Sequence, residues 1–259
     1  MLELYHNGLS SCSQKVRMVL AEKSLDFESQ TVDLVAGGQH DPEYVKLNPN
    51  HVVPTLIDEG RVLIESSLIN AYLDDAYPDP PQRPTNAADR HAMGLWIKRI
   101  DEKVHPSASV LTFSIGARQA LLNQPEEVRE ANIAAIPDPA RRAARRSVIE
   151  NGVKAPEFAG ALGRFVDLLD AIQASSGSWL SGPDFGLADA AVLPYVLRLD
   201  HLAMTPLIDA RPRVAAWYAA VQARPSYTRA VSDWLPEPIV KMFRANGEAV
   251  WADVEPLTH

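Results

Sequence analysis

The chain is 259 residues long, more than one compact core usually needs and enough for two. Its 46% hydrophobic and 22% charged residues exclude a disordered or fibrous chain. The formal net charge of -8 argues against a nucleic-acid partner, and the one basic run, Arg141-Arg142-Ala143-Ala144-Arg145-Arg146, reads as a solvated helix face.

Leu2–Tyr5 is a short apolar run suited to a buried strand. A helix-period segment follows, with Val16, Val19, Leu20 and Ala21 on one side and Gln14, Arg17, Glu22 and Lys23 largely elsewhere. Phe27–Val32 alternates like a second strand. Asp41-Pro42 starts a short helix through Leu47, because proline sits just inside an Asp N-cap. Val52–Asp58 and Val62–Ile64 read as third and fourth strands, joined by a hairpin turn at Asp58–Arg61. Glu65-Ser66-Ser67 then leads into a helix from Leu68 to Tyr77. The order is βαβ-α-ββα, in which the βαβ unit forces a parallel pair and the hairpin adds an antiparallel one.

Four prolines between Pro78 and Pro84 break the pattern and set the expected domain boundary. Beyond Ala87 the periodicity is helical: Asp89–Leu122, Glu126–Ala135, Arg142–Asn151, Pro156–Ser175, Leu187–Asp200, Val214–Ala223 and Tyr227–Phe243. The expected organisation is an α/β domain over 1–80, a linker over 81–88, an all-helical domain over 89–245 and a tail over 246–259.

Cys12 is the only cysteine, so no intrachain disulfide forms and nothing points to an oxidising compartment. Met1–His6 has neither the basic nor the apolar region of a secretory leader, and no apolar stretch is long enough to span a bilayer. The expected location is the cytoplasm, with no membrane partner. The seven histidines are scattered, and no metal site is expected.

Leu9-Ser10-Ser11-Cys12-Ser13 lies between the first strand and the first helix. One serine there is explained by capping; four consecutive small polar or thiol residues are not. A helix N-terminus offers unpaired N–H groups and the positive end of the macrodipole, which favour a thiolate. A serine hydroxyl adds a hydrogen bond to the sulfur. Cys12 is a rival nucleophile through a mixed disulfide, although it lacks a Cys-x-x-Cys partner. Val53-Pro54-Thr55 places a proline where a strand begins; it fits an edge strand, or a cis bond that presents the neighbouring backbone to a peptide-like ligand. Glu65-Ser66 opens a helix, where the acid suits an ammonium and the hydroxyl with helix N–H groups suits a carboxylate.

Together these residues resemble the glutathione transferase superfamily. The matching runs are Leu4-Tyr5, Ser10-Ser11-Cys12-Ser13 with Val16-Arg17, Asn48-Pro49, Val53-Pro54-Thr55-Leu56, Glu65-Ser66-Ser67-Leu68-Ile69 and Tyr72-Leu73, with Leu187-Ala188-Asp189-Ala190-Ala191 in the second half. The resemblance implies a thioredoxin-like first domain that binds glutathione and a helical domain that builds the substrate pocket. By it Ser10 matches the catalytic serine, with Ser13 as the alternative. Val53 pairs its backbone with the cysteinyl part of glutathione beside a cis Pro54. Glu65 and Ser66 hold the γ-glutamyl end, and Gln39, His40 and His51 fall where side chains hold the glycyl carboxylate. Two departures stand out: Gly186 replaces the Ser or Thr of a capping box, and Val52 occupies a position that is commonly polar.

On the substrate side Leu9, His105 and Ser109 are candidates, His105 and Ser109 lying one helical turn apart. The resemblance implies a glutathione S-transferase, expected as a homodimer, whose serine-stabilised thiolate attacks a hydrophobic electrophile such as an aryl ether. The serine cluster is close to the zeta class, and the insertion around 135–152 resembles bacterial transferases related to lignin β-aryl-etherases. Alternatives are an isomerase of the maleylacetoacetate type and a non-catalytic binding module of the same fold.

Overall fold

The computed structural model describes residues 1–258. The first part contains β1 (Leu2–His6), α1 (Ser11–Glu22), β2 (Phe27–Thr31), α2 (Pro42–Leu47), β3 (Thr55–Asp58), β4 (Arg61–Leu63) and α3 (Ser66–Ala76). The strands form one sheet in the order β2-β1-β3-β4. β1 runs parallel to β2, with Leu4 opposite Ser29, and antiparallel to β3, with Leu4 opposite Leu56. β3 and β4 form the antiparallel hairpin. The period-2 alternation of β1 assigns its faces: Leu2, Leu4 and His6 are buried on the α1 side, while Tyr5 meets the Tyr44 ring of α2 at 5.8 Å.

The helical part begins with a nearly continuous run: α4 (Ala87–Arg99), a π-helical turn at Ile100–Val104, α5 (His105–Leu111), a second π-helical turn at Thr112–Gly116, and α6 (Arg118–Leu122). Next come α7 (Glu126–Ala134), α8 (Pro139–Asn151), α9 (Phe158–Ala174), α10 (Leu187–His201), α11 (Thr205–Asp209), α12 (Pro212–Gln222), α13 (Pro225–Ala230) and α14 (Glu237–Val254). A mixed four-stranded α/β domain followed by helices is the fold that the sequence implied. The helix expected over Tyr227–Phe243 is corrected: α13 stops at Ala230 and α14 starts at Glu237. Pro236 lacks the N–H that a helix interior needs, whereas Pro238 falls in the first turn of α14, where none is required.

The sequence set Gln14, Arg17 and Lys23 off the buried side of α1; the structure buries all three. α1 packs against both α3 and α13, so it has no solvated face wide enough for them. Each polar head then finds partners inside. Gln14 donates to the Gly8 carbonyl at 3.1 Å. Lys23 donates to the Tyr77 and Pro80 carbonyls, both at 2.8 Å, and pairs with Asp74 at 2.7 Å.

The residues form two compact units. One comprises Met1–Lys98, Ser176–Pro194 and Trp217–Pro236; the other comprises Arg99–Ser175, Tyr195–Ala216 and the residues from Glu237 on. The first unit therefore includes helical segments far along the chain. Its buried hub is Asp189, whose carboxylate accepts from Leu180 N at 3.0 Å, Gly186 N at 3.1 Å and Trp217 Nε1 at 2.8 Å. Gly186 replaces a capping serine for a steric reason: a Cβ there would lie 2.6 Å from the Gln82 carbonyl oxygen, which accepts from Leu187 N at 2.9 Å.

Candidate functional site

In the first unit, Ser10 is the N-cap of α1, with extended backbone and a side-chain oxygen that accepts from Ser13 N at 3.2 Å. This is ordinary capping: Ser10 satisfies one N–H that the first turn leaves without a partner. Ser13 lies one turn in and is fully buried, and its Oγ accepts from Asn7 N at 3.3 Å. Ser11 is nearly buried; Cys12 and Ser10 are partly exposed. Leu9 N donates to Asn7 Oδ1 at 3.0 Å, so Asn7 organises the loop from both ends.

That loop is held from beneath by Arg17. Its guanidinium donates to the carbonyls of Asn7, Gly8 and Ala230 at 3.0, 3.1 and 2.7 Å, and to His6 Nδ1 at 2.9 Å. Arginine only donates, so Nδ1 of His6 accepts, and the ring proton sits on Nε2 facing Ser29 Oγ at 2.8 Å. Burial and the Arg17 charge push the His6 pKa down to about 3, and burial lowers that of Arg17 to about 9. Gly8 has no room for a side chain, because a Cβ would sit 2.1 Å from the Trp234 carbonyl oxygen.

The other candidates of this unit fall into two groups. Gln39, His40 and His51 form a chain, with Gln39 Nε2 2.9 Å from His40 Nε2 and His40 Nδ1 2.9 Å from His51 Nδ1. The Gln39 amide nitrogen donates to His40 Nε2, so His40 Nδ1–H donates to His51 Nδ1, and the His51 proton sits on Nε2. Burial and the neighbouring His51 lower the His40 pKa, which favours this neutral arrangement. Val53 and Pro54 are buried and joined by a cis peptide bond just ahead of β3. The Val52 carbonyl accepts from Tyr44 Oη at 2.6 Å and Asn48 Nδ2 at 2.9 Å.

Glu65 is exposed at the N-cap of α3, with φ of 68°, and its Oε1 accepts from Asn50 Nδ2 at 3.2 Å. Ser66 is the first residue of α3 and is buried. Behind it, Lys15 donates to Ser67 Oγ at 2.7 Å from a fully buried position. The ammonium adds positive charge to a helix N-terminus already suited to an anion.

His105 and Ser109 lie in the second unit, exposed and one turn apart on α5. His105 Nδ1 is 3.0 Å from Tyr195 Oη, and the two rings meet edge to face at 6.1 Å. Ser109 Oγ accepts from Arg145 Nη2 at 3.3 Å. Lys15, Asn50, Arg145 and Tyr195 escaped the sequence reading. The sequence reading placed Arg145 on a solvated helix face and gave Lys15, Asn50 and Tyr195 no role, because the partners that folding brings to them are distant in sequence.

Among the described residues no helix is long and apolar enough to cross a membrane. Residues 9–76 match the family model for the glutathione S-transferase N-terminal domain, and residues 133–220 match that for the C-terminal domain. Over 234 residues the chain is 32% identical to glutathione S-transferase 3 of Zea mays, covering 89% of this chain and 93% of that protein. It is 30% identical over 232 residues to a glutathione S-transferase of Hyoscyamus muticus, covering 89% and 97%. The crystal structure of beta-etherase LigF from Sphingobium sp. strain SYK-6 matches with a TM-score of 0.76 and 26% identity, over 88% of this chain and 98% of that one. Both domains in order, with identity sustained along nearly the whole chain, make this protein a member of the glutathione S-transferase family, an enzyme whose co-substrate is glutathione.

Proposed function

We propose that Ser10, with the N-terminus of α1, stabilises the glutathione thiolate, which then attacks a hydrophobic electrophile, an aryl ether foremost. The observation that carries the choice of serine is the contrast in burial. Ser13 is fully buried with Asn7 N on its oxygen, whereas Ser10 is partly exposed at the cap. The Ser10 oxygen uses a lone pair on Ser13 N, which leaves its proton for the sulfur. The first N–H groups of α1 and its dipole favour the charged form further.

The rest of the unit fits glutathione by chemistry. Glu65 suits the γ-glutamyl ammonium, and Ser66 with the opening N–H groups of α3 suits the adjacent carboxylate. The Val53 backbone suits the cysteinyl peptide. The Nε2–H at the end of the Gln39–His40–His51 chain suits the glycyl carboxylate. Leu68 on α3 and Leu95 on α4 expose 68% and 55% of their surface, apolar area that a second copy would cover in a homodimer.

For an aryl ether, a sulfur–carbon bond forms, the carbon–oxygen bond breaks, and the phenolate leaves and takes a proton from water. The likeness to beta-etherase LigF supports this electrophile, and breakdown of aromatic compounds in the cytoplasm is the role it suggests. A disulfide mechanism through the partly exposed Cys12 is the second reading. The test is a pH titration of the thiolate absorbance of bound glutathione, together with phenol release from a β-aryl ether. The free thiol ionises at about 8.5. The bound value should be lower, rise by about one unit or more in Ser10→Ala, and hold in Ser13→Ala and Cys12→Ala. An unchanged value in Ser10→Ala would overturn the assignment, and loss of turnover in Cys12→Ala alone would favour the disulfide route.

A further inference from the structure

The turn that delivers Ser10 is walled by a segment from far along the chain. Within the first unit, α13 ends at Ala230 and a short 3-10 turn, Ser232–Trp234, follows it. These residues lie beyond residue 220, where the match to the C-terminal domain model ends. The Trp234 ring is held on several sides. It stacks on Phe27 with ring centroids 6.2 Å apart and meets the His6 ring edge to face at 4.6 Å. The Arg17 guanidinium carbon lies 5.5 Å from its centroid, and its Nε1 donates to the Arg229 carbonyl at 2.8 Å. A tryptophan side chain has only two torsions, so these contacts fix the ring and the backbone that carries it.

The fixed ring sets where its own carbonyl lies. That oxygen occupies the space of a Cβ at Gly8, and the Pro236 ring lies 3.6 Å from the same point. A second hold on the turn comes from α1. The Gly8 carbonyl accepts from Gln14 Nε2 and Arg17 Nη2, both at 3.1 Å. The Asn7 carbonyl accepts from Arg17 Nη1 at 3.0 Å and from Ser10 N at 3.3 Å. Arg17 joins the two holds, because its Nε donates to the Ala230 carbonyl at 2.7 Å. We propose that Trp234 is a positioning residue for Ser10: its ring seats the Trp234 carbonyl against Gly8 and so fixes the Asn7–Leu9 turn from which Ser10 meets the glutathione sulfur. The assignment rests on the Ser10 reading above, and Trp234 itself touches no reacting atom. A hydrogen bond to sulfur is directional and weakens steeply as its angle degrades, so a loosened turn stabilises the thiolate less.

The test compares wild type, Trp234→Ala, Trp234→Phe and Val221→Ala as purified full chains. Val221 is fully buried on α12 of the first unit, so Val221→Ala removes core packing without touching the Trp234 ring contacts described above. The Ser13 amide donates to Ser10 Oγ, so its hydrogen–deuterium exchange reads the cap with no ligand present. In Trp234→Ala that exchange should accelerate by about tenfold or more, and the pKa of the bound glutathione thiol should rise by about half a unit or more. Trp234→Phe keeps the stacking and should restore most of both. Val221→Ala should lower the melting temperature yet leave both readings at the wild-type values. Unchanged exchange and pKa in Trp234→Ala, or the same changes in Val221→Ala, overturn the proposal. If the thiol pKa does not respond even to Ser10→Ala, the serine reading fails separately, while Ser13 exchange still decides whether Trp234 holds the turn. Should Trp234→Ala not fold, Gly8→Ala drives a Cβ into the same carbonyl; both readings should move as described, and wild-type values there overturn the proposal.

Discussion

Arg17 illustrates how one side chain couples the core to the chemistry. Its guanidinium satisfies three carbonyls and the His6 ring, and two of those carbonyls belong to the loop that delivers Ser10. Arg17→Met preserves the aliphatic stem but leaves those buried acceptors without a donor. The expected loss is about 3 kcal/mol or more in urea unfolding, with weaker glutathione binding because the Asn7–Gly8 turn loosens. Unchanged stability would mean that water reaches the acceptors. The capping role of Ser10 was legible in the sequence, because a serine just ahead of a helix-period run can accept an N–H that the first turn leaves unpaired. The separation of Ser10 from Ser13 was not, since burial of Ser13 depends on Asn7 folding back over it.

At the scale of elements, Gly186 shows a local rule yielding to tertiary packing. Sequence reasoning treats glycine there as half of a missing capping box. The structure makes it obligatory, because the Gln82 carbonyl occupies the space of a Cβ while it accepts from Leu187 N. Gly186→Ser should therefore lower stability by about 1–3 kcal/mol through overpacking, read as a fall in melting temperature. A rise, the result expected of a restored N-cap, would show that the segment carrying Gln82 can retreat. The carboxylate of Asp189 is a second element-scale device. Burial raises its pKa to about 6 despite three hydrogen bonds that favour the anion. Asp189→Ala would strand the Leu180, Gly186 and Trp217 donors and should cost about 3 kcal/mol or more in the same assay.

For the whole molecule, the buried histidines set the acid limb of stability. His6 in the first unit and His201 in the second are both pushed down to about 3, mainly by burial and then by arginine charge. As pH falls below about 6.5, the unfolded chain takes up protons that the folded one refuses until about 3. Stability is thus complete above the unfolded value and is lost toward the folded one, by about 2 kcal/mol per histidine between pH 7 and pH 5. Urea midpoints measured across that range should fall less steeply for His201→Gln than for wild type. Equal slopes would mean that His201 titrates alike in both states.

The sequence by itself determined the order of elements in the α/β part, the change to helices near the proline-rich stretch, the helix starts at Ser10 and Glu65 and the proline ahead of β3, and with them the family. Those features are local: caps, periodicity and proline act within a few residues. Only the tertiary structure decided that Arg17 and Lys23 lie inside, that Gly186 must be glycine, that residues 176–194 and 217–236 join the first unit, and that Arg145 stacks on Phe113. Each of these depends on a partner distant in sequence, and a charged side chain has the same local signature whether its neighbours are water or carbonyl oxygens.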